Sequence, residues 1–233
     1  EEDPYYIKQH YIGQDKDFID PITKVVIPEG VTEIQSYAFA NLQGLKEVVL
    51  PSTLTKIGTY AFYNCKNLVN INLENVKFIN EGAFENCGLT DLNFKVLNAI
   101  GNNSFKNNNL IDVTLPESSQ SLGIGAFSAN EKLQSVTFKA DKIKIGSGVF
   151  TNCPNLTSIK INAAVIAARA FEGCGSLKNV TLGKDVAVIG EYAFAGTNVS
   201  KFTLEEGCAY KAENGGAVLT KNNELALVAP KAT

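Results

Sequence analysis

Phenylalanine recurs along the chain at Phe39, Phe62, Phe84, Phe105, Phe127, Phe150, Phe171 and Phe194, with successive spacings of 23, 22, 21, 22, 23, 21 and 23 residues. Five residues before each stands an aliphatic side chain: Ile34, Ile57, Ile79, Ile100, Leu122, Ile145, Ile166 and Ile189. Five or six residues after each comes Leu45, Leu68, Leu89, Leu110, Leu133, Leu156, Leu177 or Val199. Three positions further on an alternating apolar pair begins, from Val48 and Leu50 or Ile71 and Leu73 through to Phe202 and Leu204. Self-similarity at a fixed period marks stacked repeats, in which no unit can bury its own apolar face and all share one core.

Each repeat divides by its hydrophobic period. The alternating pair, as in Ile71-Asn72-Leu73, has period two and predicts a short strand with one buried face. In the other half, Ile57, Ala61, Cys65 and Leu68 are spaced four, four and three, which places them on one side of a short helix. Stacking these units predicts an α/β repeat fold: a right-handed solenoid with a parallel β-sheet on one face, short helices or turns on the other, and the phenylalanines in a ladder between. Parallel strands lie ~4.8 Å apart, so eight rungs span roughly 40 Å. Val25-Val26-Ile27-Pro28 matches Val48-Val49-Leu50-Pro51, so a ninth strand is expected ahead of the first full repeat.

The ends depart from the repeat. Residues 1–22 are expected to form an N-terminal cap, with Tyr5, Tyr6 and Tyr11 over the open core; residues 23–206 form the solenoid. Residues 207–233 contain Ala217 to Thr220, then Lys221-Asn222-Asn223, then Leu225 to Val228, which predicts a β-hairpin cap around an Asn turn. All three parts belong to one continuous domain.

The pattern Ile-Gly-x-x-Ala-Phe-x-x-Cys-x-x-Leu-x-x-Ile-x-Leu, from Ile57 to Leu73, resembles the BspA-like variety of leucine-rich repeat, also seen in treponemal surface proteins. The resemblance covers roughly residues 24–205, and the hairpin after 207 is similar to that family's end piece. It implies a secreted or surface-displayed bacterial protein that adheres to host matrix or other cells. Departures stand at Leu42, Asn108, Asn130 and Thr197, where the Cys position is not Cys, and at Ser119 and Lys142 after the strand. They are read as local irregularity.

Composition narrows the function. With 45% hydrophobic and 19% charged residues the chain folds, and a formal charge of -3 from scattered groups leaves no basic stripe for a nucleic acid. No apolar run approaches the ~20 residues of a membrane span. The chain opens on Glu1-Glu2-Asp3-Pro4 rather than Met, so a trimmed form is expected, its signal or anchor outside this sequence. Four of five cysteines, Cys65, Cys87, Cys153 and Cys174, share the repeat's spacing and are expected to form a ladder of buried thiols. Neighbours such as Cys65 and Cys87 come close enough for a disulfide to stay open as an alternative. Cys208 lies outside the ladder.

Chemistry-bearing groups are sparse, and no catalytic, cofactor or metal residue is assigned. The single histidine, His10, stands in the leading cap, which leaves a Ser-His-Asp or Cys-His site little to build on. No cysteine pair has zinc-ligand spacing. Asp15, Asp17 and Asp20 lack the glycine and glutamate of a calcium loop. The glycine pairs recur at a turn of the repeat, which needs no phosphate to explain it. Asp91 and Asp112, at one outward position on consecutive rungs, are the candidates for carboxylate-based glycan cleavage.

A partner-binding face follows from the alternation. Its outward residues are Glu47, Val49, Asn70, Asn72, Asp91, Asn93, Asp112, Thr114, Thr137, Lys160, Thr181 and Thr203, together with Ser135, Ser158, Asn179 and Lys201. This face is polar and lacks the Tyr, Trp and Arg that anchor tight interfaces, which favours many weak contacts multiplied by dense display. Tyr37, Tyr60 and Tyr192, two residues before a repeat Phe, offer a second surface or pack between adjacent turns. Expected function is a non-catalytic module binding a protein or glycan. A spacer in a larger secreted protein and a polysaccharide hydrolase or lyase are the alternatives.

Overall fold

The computed structural model describes residues 22–141, 143–216, 218–222, 224–228 and 230. Tyr5, Tyr6, Tyr11, His10, the aspartates at 15, 17 and 20, and Lys142 lie outside the described residues. The chain winds into a parallel β-solenoid whose eight coils each carry one ladder phenylalanine.

Two faces of every coil are extended. On the broad face run the alternating segments foreseen from the period-two pattern: Lys24–Val26 pairs in parallel with Glu47–Val49, and Asp112–Leu115 with Ser135–Phe138. Ser158–Ile161 pairs with Asn179–Leu182, which pairs with Lys201–Leu204. Lys24–Val26 is the ninth strand expected ahead of the first coil. The narrow face was not foreseen as a sheet. Eight two-residue strands, from Glu33–Ile34 and Lys56–Ile57 to Val165–Ile166 and Val188–Ile189, form an unbroken parallel sheet in chain order. Its registers put Ile34 beside Ile57, Ile57 beside Ile79 and Ile79 beside Ile100.

The segment around each Phe is turn rather than helix, and the backbone explains why. In all eight coils the residues two before and two after the Phe have φ between 53° and 75°. An α-helix cannot continue through a left-handed residue, so local bonding breaks twice per coil. The freed N–H groups then reach the next coil: Tyr37 donates to the Thr59 carbonyl at 2.8 Å, Phe39 to Ala61 at 2.8 Å and Asn41 to Tyr63 at 2.7 Å. The turns are thus hydrogen-bonded along the solenoid axis much as the strands are.

Between these layers the phenylalanine rings stack with centroids 5.2 to 5.6 Å apart, from Phe39 to Phe194. Buried apolar side chains from Ile34 to Leu219 join in a single cluster. At the C-terminal end Lys211–Glu213, Val218–Lys221 and Glu224–Val228 form an antiparallel sheet. Its last two strands are the expected hairpin, with Asn222 left-handed in the turn at φ 54°. The additional strand, Lys-Ala-Glu, is exposed throughout and carries no alternation to announce it.

Candidate functional site

The residues expected to form a partner face stand on the broad face. Glu47, Val49, Asn70, Asn72, Asp91, Asn93, Asp112, Thr114, Thr137, Lys160 and Thr203 are exposed, and Thr181 is half-buried. Strand register aligns several into rows: Val26 beside Val49, Thr114 beside Thr137, and Lys160, Thr181 and Thr203 in sequence. Under them Val48, Val113, Val136, Ile159, Val180 and Phe202 are buried, which holds the alternate side chains outward.

Several of these side chains also work for the fold. At Ile71-Asn72-Leu73 and Leu92-Asn93-Phe94 the broad-face sheet is interrupted, and amides take its place. The Leu73 N–H donates to Asn93 Oδ1 at 2.8 Å, Asn93 Nδ2 donates to Asn72 Oδ1 at 2.8 Å, and the Glu74 N–H donates to Asn72 Oδ1 at 3.1 Å. Lys24 pairs with Glu47 at 2.7 Å and Lys160 with Glu205 at 2.6 Å. Asp112 accepts a bond from the Ser135 hydroxyl, and both Asp112 and Asp91 are exposed on the same face. What the face offers chemically is a row of hydroxyl and amide donors and acceptors on a rigid grid.

The position three residues after each Phe has a specific task. Cys65 Sγ donates to the Phe39 carbonyl at 3.1 Å, Cys87 to Phe62 at 3.0 Å, Cys153 to Phe127 at 3.3 Å and Cys174 to Phe150 at 3.1 Å. All five cysteines are free thiols, the ladder four buried. Burial pushes the Cys87 and Cys153 thiols well up and that of Cys174 up to about 11. At Asn108 and Asn130, where Cys is missing, the donor remains. Asn108 Nδ2 bonds the Phe84 carbonyl at 2.8 Å and Asn130 Nδ2 bonds Phe105 at 2.9 Å, each in the preceding coil, whereas Thr197 Oγ1 bonds the Phe194 carbonyl of its own coil at 2.7 Å. Leu42 is in the first coil and has no preceding ladder phenylalanine carbonyl to satisfy. Asn108 and Asn130 are therefore substitutions within one role, where the sequence alone suggested irregularity.

The tyrosines divide. Tyr37 and Tyr60 stack at 5.3 Å, and the Tyr60 ring lies over Gly82, where an added Cβ would come within 2.1 Å of it. Tyr192 is 62% exposed, with the Arg169 guanidinium 5.1 Å from its ring centre. Packing between turns accounts for the first two.

Among known proteins, a leucine-rich repeat protein from Bacteroides ovatus superposes with a TM-score of 0.69 at 30% identity, over 75% of this chain and 46% of that one. The chain thus spans about half the length of that relative. A Treponema pallidum leucine-rich repeat protein aligns with a TM-score of 0.53 at 27% identity, over 75% of this chain and 76% of its own. No curated protein matches the chain. Residues 17–97 and 98–214 match the BspA type leucine-rich repeat region in six copies, and the chain belongs to that family.

Proposed function

We propose that this chain is a non-catalytic binding module at a bacterial cell surface, which engages a protein or glycan through the broad face by many weak contacts. The observation that carries the proposal is the grid of exposed polar side chains held in strand register above a buried apolar row. Such a surface is stiff, so little side-chain or backbone freedom is lost when a partner docks. Membership of the BspA-type family supports the location and the binding role. A face without aromatic anchors gives low affinity per copy, which dense display converts into avidity.

The test immobilises the chain at high density and measures binding of extracellular matrix proteins. Binding should rise with density and fall about tenfold or more when Thr114, Thr137 and Thr181 are each replaced by Arg, which crowds the grid and adds charge. Background signal at every density, or binding that ignores the triple variant, overturns the proposal.

A further inference from the structure

The distance from the ladder Phe to the following Leu is six residues in the coils of Phe39 and Phe62 but five in those of Phe84 and Phe105. Elsewhere an Asn side chain bonds the preceding coil at this corner, in six-residue coils and, through Asn198 on the Gly175 carbonyl, in the short coil of Phe194. In full-length coils Asn67 Nδ2 donates to the Gln43 carbonyl at 2.6 Å and Asn155 Nδ2 to the Glu131 carbonyl at 2.7 Å. In the consecutive short coils of Phe84 and Phe105 no such side-chain bond is made and the backbone closes directly, with the Gly88 N–H on the Leu68 carbonyl at 3.1 Å and the Asn109 N–H on Leu89 at 2.9 Å. Two consecutive deletions leave a recess of about 420 Å³ at the corner between the turns and the broad face. That volume lies within the ~300–1,000 Å³ of small-molecule sites.

Its walls are Asn64, Asn86, Asn107 and Asn109 with Lys66, and Asn108 and Cys87 form the floor. Asn107 Nδ2 donates to Asn86 Oδ1 at 2.7 Å, which leaves Asn86 Nδ2 and Asn107 Oδ1 as a donor and an acceptor side by side. Asn108 has its own bonds, from Nδ2 to the Phe84 carbonyl at 2.8 Å and to Oδ1 from the Leu89 N–H at 3.1 Å, so the floor is fixed. Lys66 brings the lining's only formal charge, and among the described residues it makes no ion pair. Paired amide donors and acceptors match vicinal hydroxyls, and an ammonium matches a carboxylate.

We infer that this recess binds one carboxylated sugar unit, its hydroxyls on Asn86 and Asn107 and its carboxylate on Lys66. The inference is independent of the broad-face proposal, since none of these side chains belongs to that grid. Gly173 and Gly196 occupy the position of Asn86 and Asn107 in later coils with the same left-handed backbone, so Asn→Gly there removes the amide and keeps the turn.

The experiment follows backbone and side-chain amide signals by NMR while titrating methyl glucuronide, methyl glucoside and sulfate separately. Saturable shifts at residues 64–67, 86–88 and 107–109 with methyl glucuronide, and weaker ones with the glucoside, are expected. Asn86→Gly with Asn107→Gly should weaken the glucuronide about tenfold, the loss of two hydrogen bonds. Lys66→Gln should reduce it to the level of the glucoside, and Asn152→Gly, the same turn position outside the recess, should change nothing. Absence of saturable shifts in the recess, undiminished binding to the double glycine variant, or sulfate binding as tightly as the glucuronide overturns the inference.

Discussion

A phenylalanine carbonyl buried between two coils must find a donor, and the side chain three residues after the next coil's Phe supplies it. Thiol and amide both serve, so the residue type varies while the bond persists. Asn130 is the informative case, because its Nδ2 also bonds the Phe127 carbonyl at 2.8 Å while its Oδ1 is buried without a partner. Asn130→Cys restores the common ladder residue and should shift the urea midpoint little, by less than about 1 kcal/mol equivalent, whereas Asn130→Leu strands the Phe105 carbonyl, since Phe127 keeps the Cys153 thiol, and should lose about 1 to 3 kcal/mol. Equal losses in the two variants would deny the donor role.

The same thiols make stability sensitive to alkali. Burial raises their folded pKa, so the unfolded chain releases protons first as pH rises and the native state loses ground. The sequence alone placed these cysteines by their spacing; it held no sign of the carbonyl each one faces. Stability should be fully present below about pH 9 and decline as pH climbs toward about 11, the value reached by Cys174. Denaturation midpoints across that window, compared with those of a variant carrying Asn or Thr at the ladder cysteines, check the assignment. In native protein half-buried Cys208 should react with a thiol reagent first, and the ladder four only on unfolding.

At the scale of the element, the turn is where local pattern misled. Apolar residues spaced four, four and three fit a helical stripe, yet two left-handed residues per coil redirect the backbone so that the same side chains point inward from a chain of turns. The composition held a clue in Asn41, Asn64, Asn86, Asn107 and Asn152 with Gly173 and Gly196, all two residues after a Phe, since Asn and Gly are the residues that accept positive φ. Ala129 holds that position at φ 56° without either advantage. Ala129→Gly should therefore stabilise the protein by about 1 kcal/mol, seen as a higher melting temperature, and Asn86→Val should lower it.

For the whole molecule, stability is shared along the stack. Phe105 lies between Phe84 and Phe127 with both rings within 5.4 Å and is fully buried. Phe105→Ala should cost about 3 to 5 kcal/mol and steepen no separate transition, because neighbouring coils lose their packing together. A variant that melts in two steps, with the halves on either side of Phe105 unfolding separately, would contradict one cooperative array.

Period and composition by themselves determined the coil number, the identity of the buried residues, the alternating strands except at residues 71–73 and 92–94, and the hairpin at the end, because burial follows hydrophobic spacing directly. They also named the outward residues of the broad face. Only tertiary structure decided that the aliphatic residues before each Phe would pair as a second sheet, that Asn72 and Asn93 would stand in for missing strand bonds, and that two short coils would open a recess. Those features depend on which carbonyls and amides meet between coils, and such meetings are set by stacking across about 22 residues of intervening chain, which no local pattern encodes.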